Sequence, residues 1–330
     1  MNRFKKIIAV IIAVVICFAA VSCGNSENND GKEKITVVLD WVPNTNHTGL
    51  YAAIELGYFA EAGIEVEIVS PPENGAELLV ASNGAQFGIS VQENVITAIT
   101  ASEPLPIKAV ATIVNHNTSG IISLKDKGIK TPKDLEGKRY ATWDAPIEKA
   151  MMKNIVEEDG GDFEKVVMVQ SMVTDILSAL QTDIDAVWIF QGWDGMALEV
   201  LGVETNYLDF KEINPVFDYY TPVIIANNDF LRDKPELAKK FLAAAEKGYE
   251  YAIDKPVEAV DILLKHAPEI DKNIALKSQE YLKKEYKAEA AVWGKFDEVR
   301  WMNFSNWLYE EGIINRKLND GEGFTNEFLG

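Results

Sequence analysis

Apolar positions along the chain switch repeatedly between a two-residue and a 3.6-residue period, and each switch marks a predicted element. Ile35–Leu39 is a short β-branched run and reads as a strand. From Thr48 to about Glu61 the apolar residues recur at helical spacing until Gly63 stops them. "IEVEIV" alternates cleanly and predicts a second strand. "NGAELLVASNG" predicts a short helix between Gly75 and Gly84; "AQFGISV" follows as a strand, "NVITAITAS" as a helix and "IKAVATIV" as a strand. The rhythm continues after residue 120. "GIISL", "KRYATW", "VVMVQS" and "DAVWIF" read as strands, and "TPKDLEG", "APIEKAMMKNIVEEDG" and "VTDILSALQ" as helices. Pro146 near the start and Gly160 past the end of the long one are the usual punctuation. A further helix ends near Gly202, "PVIIAN" is a last strand, and from Pro235 onward the chain is mostly helical.

Strand–helix alternation of this kind requires crossover connections and implies a largely parallel sheet. The chain therefore reads as two α/β units followed by a helical tail. In such sheets solutes bind beyond the carboxyl ends of the strands. Five loops meet that condition: Trp41 to His47, Ser90 to Asn94, Asn115 to Thr118, Trp143 to Ile147 and Phe190 to Asp194. They carry Trp41, Gln92, Glu93, His116, Trp143, Gln191 and Trp193, and none is rich in Lys or Arg. Phosphate, sulfate or nitrate would call for cations or a glycine-rich amide nest. Flat aromatic faces with neutral amides suit a planar, polar, roughly uncharged ring.

Each of these residues also has a structural reading. Trp41 fits a core Trp at a strand end about as well. Asn44, Asn46 and Thr48 are good turn and cap residues. His47 and His116 are two of three histidines; without a paired-histidine spacing or a cysteine, hydrogen bonding is favoured over a metal. Glu93 is either a solvated loop residue or an acceptor for an exocyclic amine. Trp143 and Trp193 are placed to stack on a ring. Tyr219 and Tyr220 in "FDYYTP" fit a hinge as well as a solute contact.

With 330 residues the chain is long for one core, so two domains are expected. The composition is that of a globular protein, and a net charge of −19 argues against nucleic acid as partner. Residues 1–22 read as an export signal, with Arg3, Lys5 and Lys6 ahead of the apolar "IIAVIIAVVICFAAV". That run is short for a span, which needs roughly 20 apolar residues. "AAVSCG" resembles a bacterial lipobox, with Ala20 where Leu is usual, and predicts a lipid on Cys23. Cleavage there would take the charge to about −22. The only other cysteine, Cys17, lies inside the signal, so the folded body offers no disulfide and no thiol chemistry. Polar residues 23–33 read as a tether.

"DWVPNTNHTGLYAAIELGYFAEAGIEVEIV" resembles the opening of the NMT1/Thi5-like solute-binding proteins of bacterial ABC importers, especially their thiamin-precursor group. "AQFGISVQENV", "LPIKAVATIVNHNTSGIIS", "IKTPKDLEGKRYATWDAPIEKAMM" and "DAVWIFQGWDG" continue the likeness in order. The resemblance implies an α/β, bilobed periplasmic-binding-protein-like type II fold: two mixed-sheet lobes, two hinge crossovers and a helical tail. Lobe 1 would take residues 34–118 and 222–330, lobe 2 residues 119–221. It implies a monomeric receptor, without catalysis or cofactor, that captures a pyrimidine precursor of thiamin by lobe closure. The receptor would be lipid-anchored on the outer face of the cell membrane and would deliver its solute to a permease. Family contacts map onto Trp41, Asn46, His47, Gln92, Glu93, Trp143 and the Gln191–Asp194 loop; His116, Asp144 and Tyr220 complete the candidate set. Asp144 stands where relatives commonly carry a small residue, and "IFQGWDG" departs from the "AYWNHE"-type loop of pyrimidine binders. Other planar heterocycles such as riboflavin, sulfonate- or nitrate-like anions, and the fungal pyrimidine synthase of the same superfamily are the alternatives. The last carries a cysteine-rich segment and works inside the cell.

Overall fold

The computed structural model describes residues 31–330 apart from Met172. The predicted signal, Cys23 and nearly all of the tether lie outside the described residues. From Lys34 on, the chain forms one compact unit. Ten strands form two five-stranded sheets. In lobe 1 these are β1 (Glu33–Val38), β2 (Ile64–Val69), β3 (Phe87–Ser90), β4 (Ile107–Thr112) and β10 (Val223–Asn227), in the order β2-β1-β3-β10-β4. In lobe 2 they are β5 (Ser119–Leu124), β6 (Arg139–Thr142), β7 (Val167–Gln170), β8 (Ala186–Phe190) and β9 (Thr205–Asp209), in the order β7-β6-β8-β5-β9.

Both sheets are mixed, as the family resemblance implies and unlike the largely parallel sheet that alternation alone suggests. β1 and β3 run parallel, but β10 lies antiparallel between β3 and β4. β6 is parallel to β7 and β8, while β5 is antiparallel to β8 and β9. Each sheet thus receives one strand from a chain that has just left the other. The crossovers are residues 113–118 and 210–222. Val223 pairs with Ser90 and Thr112 at the ends of β3 and β4, and Ser119 pairs with Phe190 at the end of β8. Both crossovers therefore join the same two sheet edges, and those edges face each other.

Other differences are local. Gly57, at φ 79°, divides the predicted first helix into Thr48–Glu55 and Tyr58–Glu61. β9 was not predicted, because "TNYLD" has neither alternation nor an apolar run. The tail folds as Pro235–Asp254, Pro256–His266, Lys272–Glu285 and Glu298–Glu310. The first of these packs so close to Thr48–Glu55 that a Cβ on Gly49 would overlap the Tyr249 ring, which sets Tyr249 behind the turn that follows β1. The last braces the second crossover: Phe304 stacks on Tyr219 at 4.2 Å and Trp307 meets Phe217 edge-on at 4.9 Å. Among the described residues no helix is long and apolar enough to cross a membrane.

Candidate functional site: the facing edges of the two lobes

On lobe 1 the turn after β1 is built from its own polar groups. Asn44 Oδ1 accepts the Asn46 N–H at 2.9 Å, so Asn44 is the cap and Thr48 is not. His47 Nδ1 accepts the Asn44 N–H at 3.2 Å, which puts the ring proton on Nε2, 2.9 Å from Asp40 Oδ1. His47 is fully buried. It fastens the turn, and both ring nitrogens are engaged in doing so. The backing comes from the tail: Tyr249 OH donates to Asn46 O at 2.8 Å and Tyr286 OH to Thr45 O at 2.5 Å. What the turn leaves free is Trp41, 60% exposed, and the partly buried Asn46 side chain.

After β3, Gln92 is likewise committed. Its amide donates to Trp301 O at 3.0 Å and accepts from Tyr220 N at 2.9 Å, while its own N–H reaches Tyr220 O. Gln92 and the fully buried Tyr220 tie the second crossover to lobe 1. The Tyr220 hydroxyl accepts from Asp297 N at 2.7 Å and its ring lies under the Arg300 guanidinium. His116 belongs to the same hinge. Its Nδ1 lies 2.7 Å from Asp218 Oδ2, across to the second crossover, and its Nε2 lies 2.8 Å from Glu289 Oε2. The Asp218 hydrogen bond leads in raising the His116 pKa. Gln92, Tyr220 and His116 each bond a partner more than a hundred residues away, which no local pattern reveals.

Glu93 differs. Its carboxyl is buried and Oε2 has no hydrogen-bond partner. Burial pushes its pKa up to about 7; Glu77 adds to the shift and hydrogen bonding to Tyr219 opposes it. Glu77 is held by Ser90 Oγ at 2.5 Å and Asn94 Nδ2 at 3.1 Å. Tyr219, in hydrogen-bonding reach of both Glu93 and Ser119, comes from the second crossover.

On lobe 2, Trp143 is 43% exposed and meets Trp188 edge-on at 5.2 Å. The following Asp144 takes a left-handed φ of 67°, with its N–H bonded to Thr142 Oγ1 at 2.9 Å and its carboxylate paired with exposed Lys149. Beneath this bend lies fully buried Glu148, which accepts from Tyr140 OH at 2.9 Å and Thr142 Oγ1 at 2.6 Å. Its role was missed because a glutamate in a first helical turn reads as ordinary capping chemistry. Past β8 the chain makes one π-type turn over Gln191–Gly195. Gln191 N donates to Thr118 O at 2.8 Å, but Gln191 Oε1 is buried without a partner. Trp193 is partly buried, and burial raises the Asp194 carboxyl to about 6.

Near the hinge Arg300 pairs through Nη1 with Asp218 at 3.0 Å, its Nε buried without a partner, and Lys211 pairs with Asp209 at 2.6 Å. The facing edges thus combine exposed indoles with acceptor oxygens that lack donors. Among the described residues no group of three or more His, Cys, Asp or Glu is placed to hold a metal.

Residues 44–259 match the NMT1/THI5 like family. The chain belongs to that family. It is 30% identical to the formylaminopyrimidine-binding protein of Halalkalibacterium halodurans over 92% of each chain. It is 26% identical to the 4-amino-5-hydroxymethyl-2-methylpyrimidine phosphate synthase of Legionella pneumophila over 72% of this chain and 75% of that one. Among solved structures, the alkanesulfonate-binding protein SsuA of Xanthomonas axonopodis pv. citri superposes with a TM-score of 0.67 at 9% identity, covering 88% of this chain and 98% of that chain. At that identity the likeness speaks for the fold alone, and the fold is the bilobed type II architecture of periplasmic solute-binding proteins. Members of the NMT1/THI5-like family thus include a receptor and an enzyme, and the facing edges must decide between them.

Proposed function

We propose that this NMT1/THI5-like chain is the extracytoplasmic solute-binding component of an ABC importer, held to the membrane by a lipid on Cys23. In this reading it captures an aminopyrimidine precursor of thiamin, of the formylamino or hydroxymethyl type, by closing two lobes about the crossovers 113–118 and 210–222. Trp41 and Trp143, with Trp193, stack on the ring, and Glu93, Gln191 and Asp194 read its polar rim. The reaction is capture and release, with no bond made or broken.

The observation that carries this reading is the set of buried acceptors without donors on the facing edges, Glu93 Oε2 above all. A buried acceptor left unpaired costs on the order of 1–3 kcal/mol, which an exocyclic amine would recover. Near its midpoint at neutral pH, Glu93 can take up a proton on capture, so that its carbonyl oxygen accepts from the amine while its O–H donates to an adjacent ring nitrogen. A sulfonate would find Arg300 and Lys211 each already paired with a carboxylate, with Arg300 Nε left unspent, and would face Glu93 and Asp194. The 30% identity to a formylaminopyrimidine-binding protein supports the same solute. Against the synthase stands a folded body without cysteine.

Calorimetry of the purified chain with formylaminopyrimidine, riboflavin and an alkanesulfonate tests the assignment. Saturable binding of the pyrimidine, unchanged on recovery, is expected. Preference for either other solute, or conversion of the pyrimidine, would overturn it.

A further inference from the structure

The helix Lys272–Glu285 touches both candidate turns. Its carboxyl end sits at the hinge, where Glu285 O accepts the Asn115 N–H at 2.8 Å. Two turns earlier, Ser278 is fully buried and its hydroxyl serves both lobes. It shares a 2.5 Å hydrogen bond with Thr45 Oγ1 in the turn after β1, and it bonds Gly192 O in the lobe 2 turn. Gly192 lies against the same helix: a Cβ there would stand 2.8 Å from Leu282 Cδ2 and 3.2 Å from Leu282 Cγ. Lys277 extends the contact to Glu199 at 2.9 Å. Residues 277, 278 and 282 lie on one helical face and meet lobe 2 at Gly192 and Glu199.

Seven residues separate Ser278 from the hinge end, a lever of about 10 Å. A lobe rotation of about 15° would move Gly192 by roughly 3 Å, beyond hydrogen-bond range. The contact therefore belongs to the arrangement with the lobes together. We infer that Ser278 and Leu282 are positioning residues: they clasp Gly192 when the lobes close, hold the Gln191–Gly195 turn in register with the turn after β1, and so set the closed population. Neither uses a polar atom on solute. Their influence on affinity runs through the fraction of molecules in the competent state.

The test is small-angle scattering of the solute-free full chain, with calorimetry beside it. Gly192→Ala should raise the radius of gyration by driving a methyl into Leu282. It should also weaken formylaminopyrimidine binding about tenfold, the factor expected if the competent fraction falls tenfold. Leu282→Ala added to Gly192→Ala removes the clash and should restore both readings toward wild type. Ser278→Ala, which deletes only the hydroxyl, should shift both in the direction of Gly192→Ala while unfolding stays cooperative. A wild-type radius and affinity for Gly192→Ala, or a double variant no better than the single, would overturn the clasp. Scattering needs no solute, so a wild type that binds no pyrimidine overturns the proposed function and leaves the clasp to be decided by its radius.

Discussion

Along the lobe 1 edge most of the polar side chains have found their partners inside the protein. Asn44 and His47 close the turn after β1, Gln92 is bonded on both amide atoms, and His116 is held between Asp218 and Glu289. The lobe 2 edge is less committed. Trp143 stands out from its sheet beside a left-handed Asp144, and Gln191 carries an unpaired buried oxygen on a π-type turn. A wall fixed in advance costs little ordering on capture, while a wall with unspent groups gains most when the solute arrives. Glu93, a carboxyl with one buried oxygen unpaired, departs from this on the fixed side, and for that reason it is the residue most informative about solute chemistry.

The strongest way to break this contrast is at Gln92. Gln92→Ala leaves the Tyr220 N–H unpaired in a buried hinge and removes a fully buried side chain, while Trp301 C=O keeps the Ser305 hydroxyl as a donor; the change should cost about 2–4 kcal/mol in denaturant unfolding. If Gln92 were a solute group instead, stability would hold and only affinity would fall.

A second expectation concerns pH. Burial raises Glu93 from 4.5 to about 7 and Asp194 from 3.8 to about 6. In that window the folded, solute-free protein holds protons that the unfolded chain has released, so these groups make stability fall as pH rises from about 4 to about 7. Urea midpoints between pH 5 and 7.5 should decline in the wild type and decline less in Glu93→Gln/Asp194→Asn. Equal slopes would place both carboxyls in solvent.

Third, the exposed indoles should matter for capture and little for folding. Trp41→Ala and Trp143→Ala should each weaken solute binding by about 1–3 kcal/mol, as base–aromatic stacking does, with melting temperatures nearly unchanged. Unaltered affinity in both would remove the stacking walls. The smallest effect is expected at Asp144, whose left-handed φ is strained for a residue with a Cβ. Asp144→Gly should stabilise lobe 2 by about 0.5 kcal/mol in chemical denaturation, since the exposed pair with Lys149 contributes little.

The contrast also explains what could be read from sequence. Strand and helix alternation, the loops at strand ends and the Trp positions depend on local pattern, and these were legible. The roles of Gln92 and His116 were not, because Trp301, Tyr220 and Asp218 come from distant segments; the partners of His47, Asn44 and Asp40, are near in sequence, but only the folded turn sets its ring between them. The antiparallel insertion of β10 and β5 is a matter of topology, which carries no local signal. Ser278 had a faint one: a serine in line with Ala275 and Leu282 on a buried helical face invites the question of what its hydroxyl meets.

The central claim is that Glu93 recognises the amine of an aminopyrimidine. Calorimetry of wild type and Glu93→Gln against formylaminopyrimidine and an analogue lacking the exocyclic amine tests it directly. The account predicts that the substitution weakens the amine-bearing solute by roughly one to two decades and the analogue by much less, because a site built to pair with a group loses most when that pairing is broken. Equal losses for both solutes, or none, would contradict it.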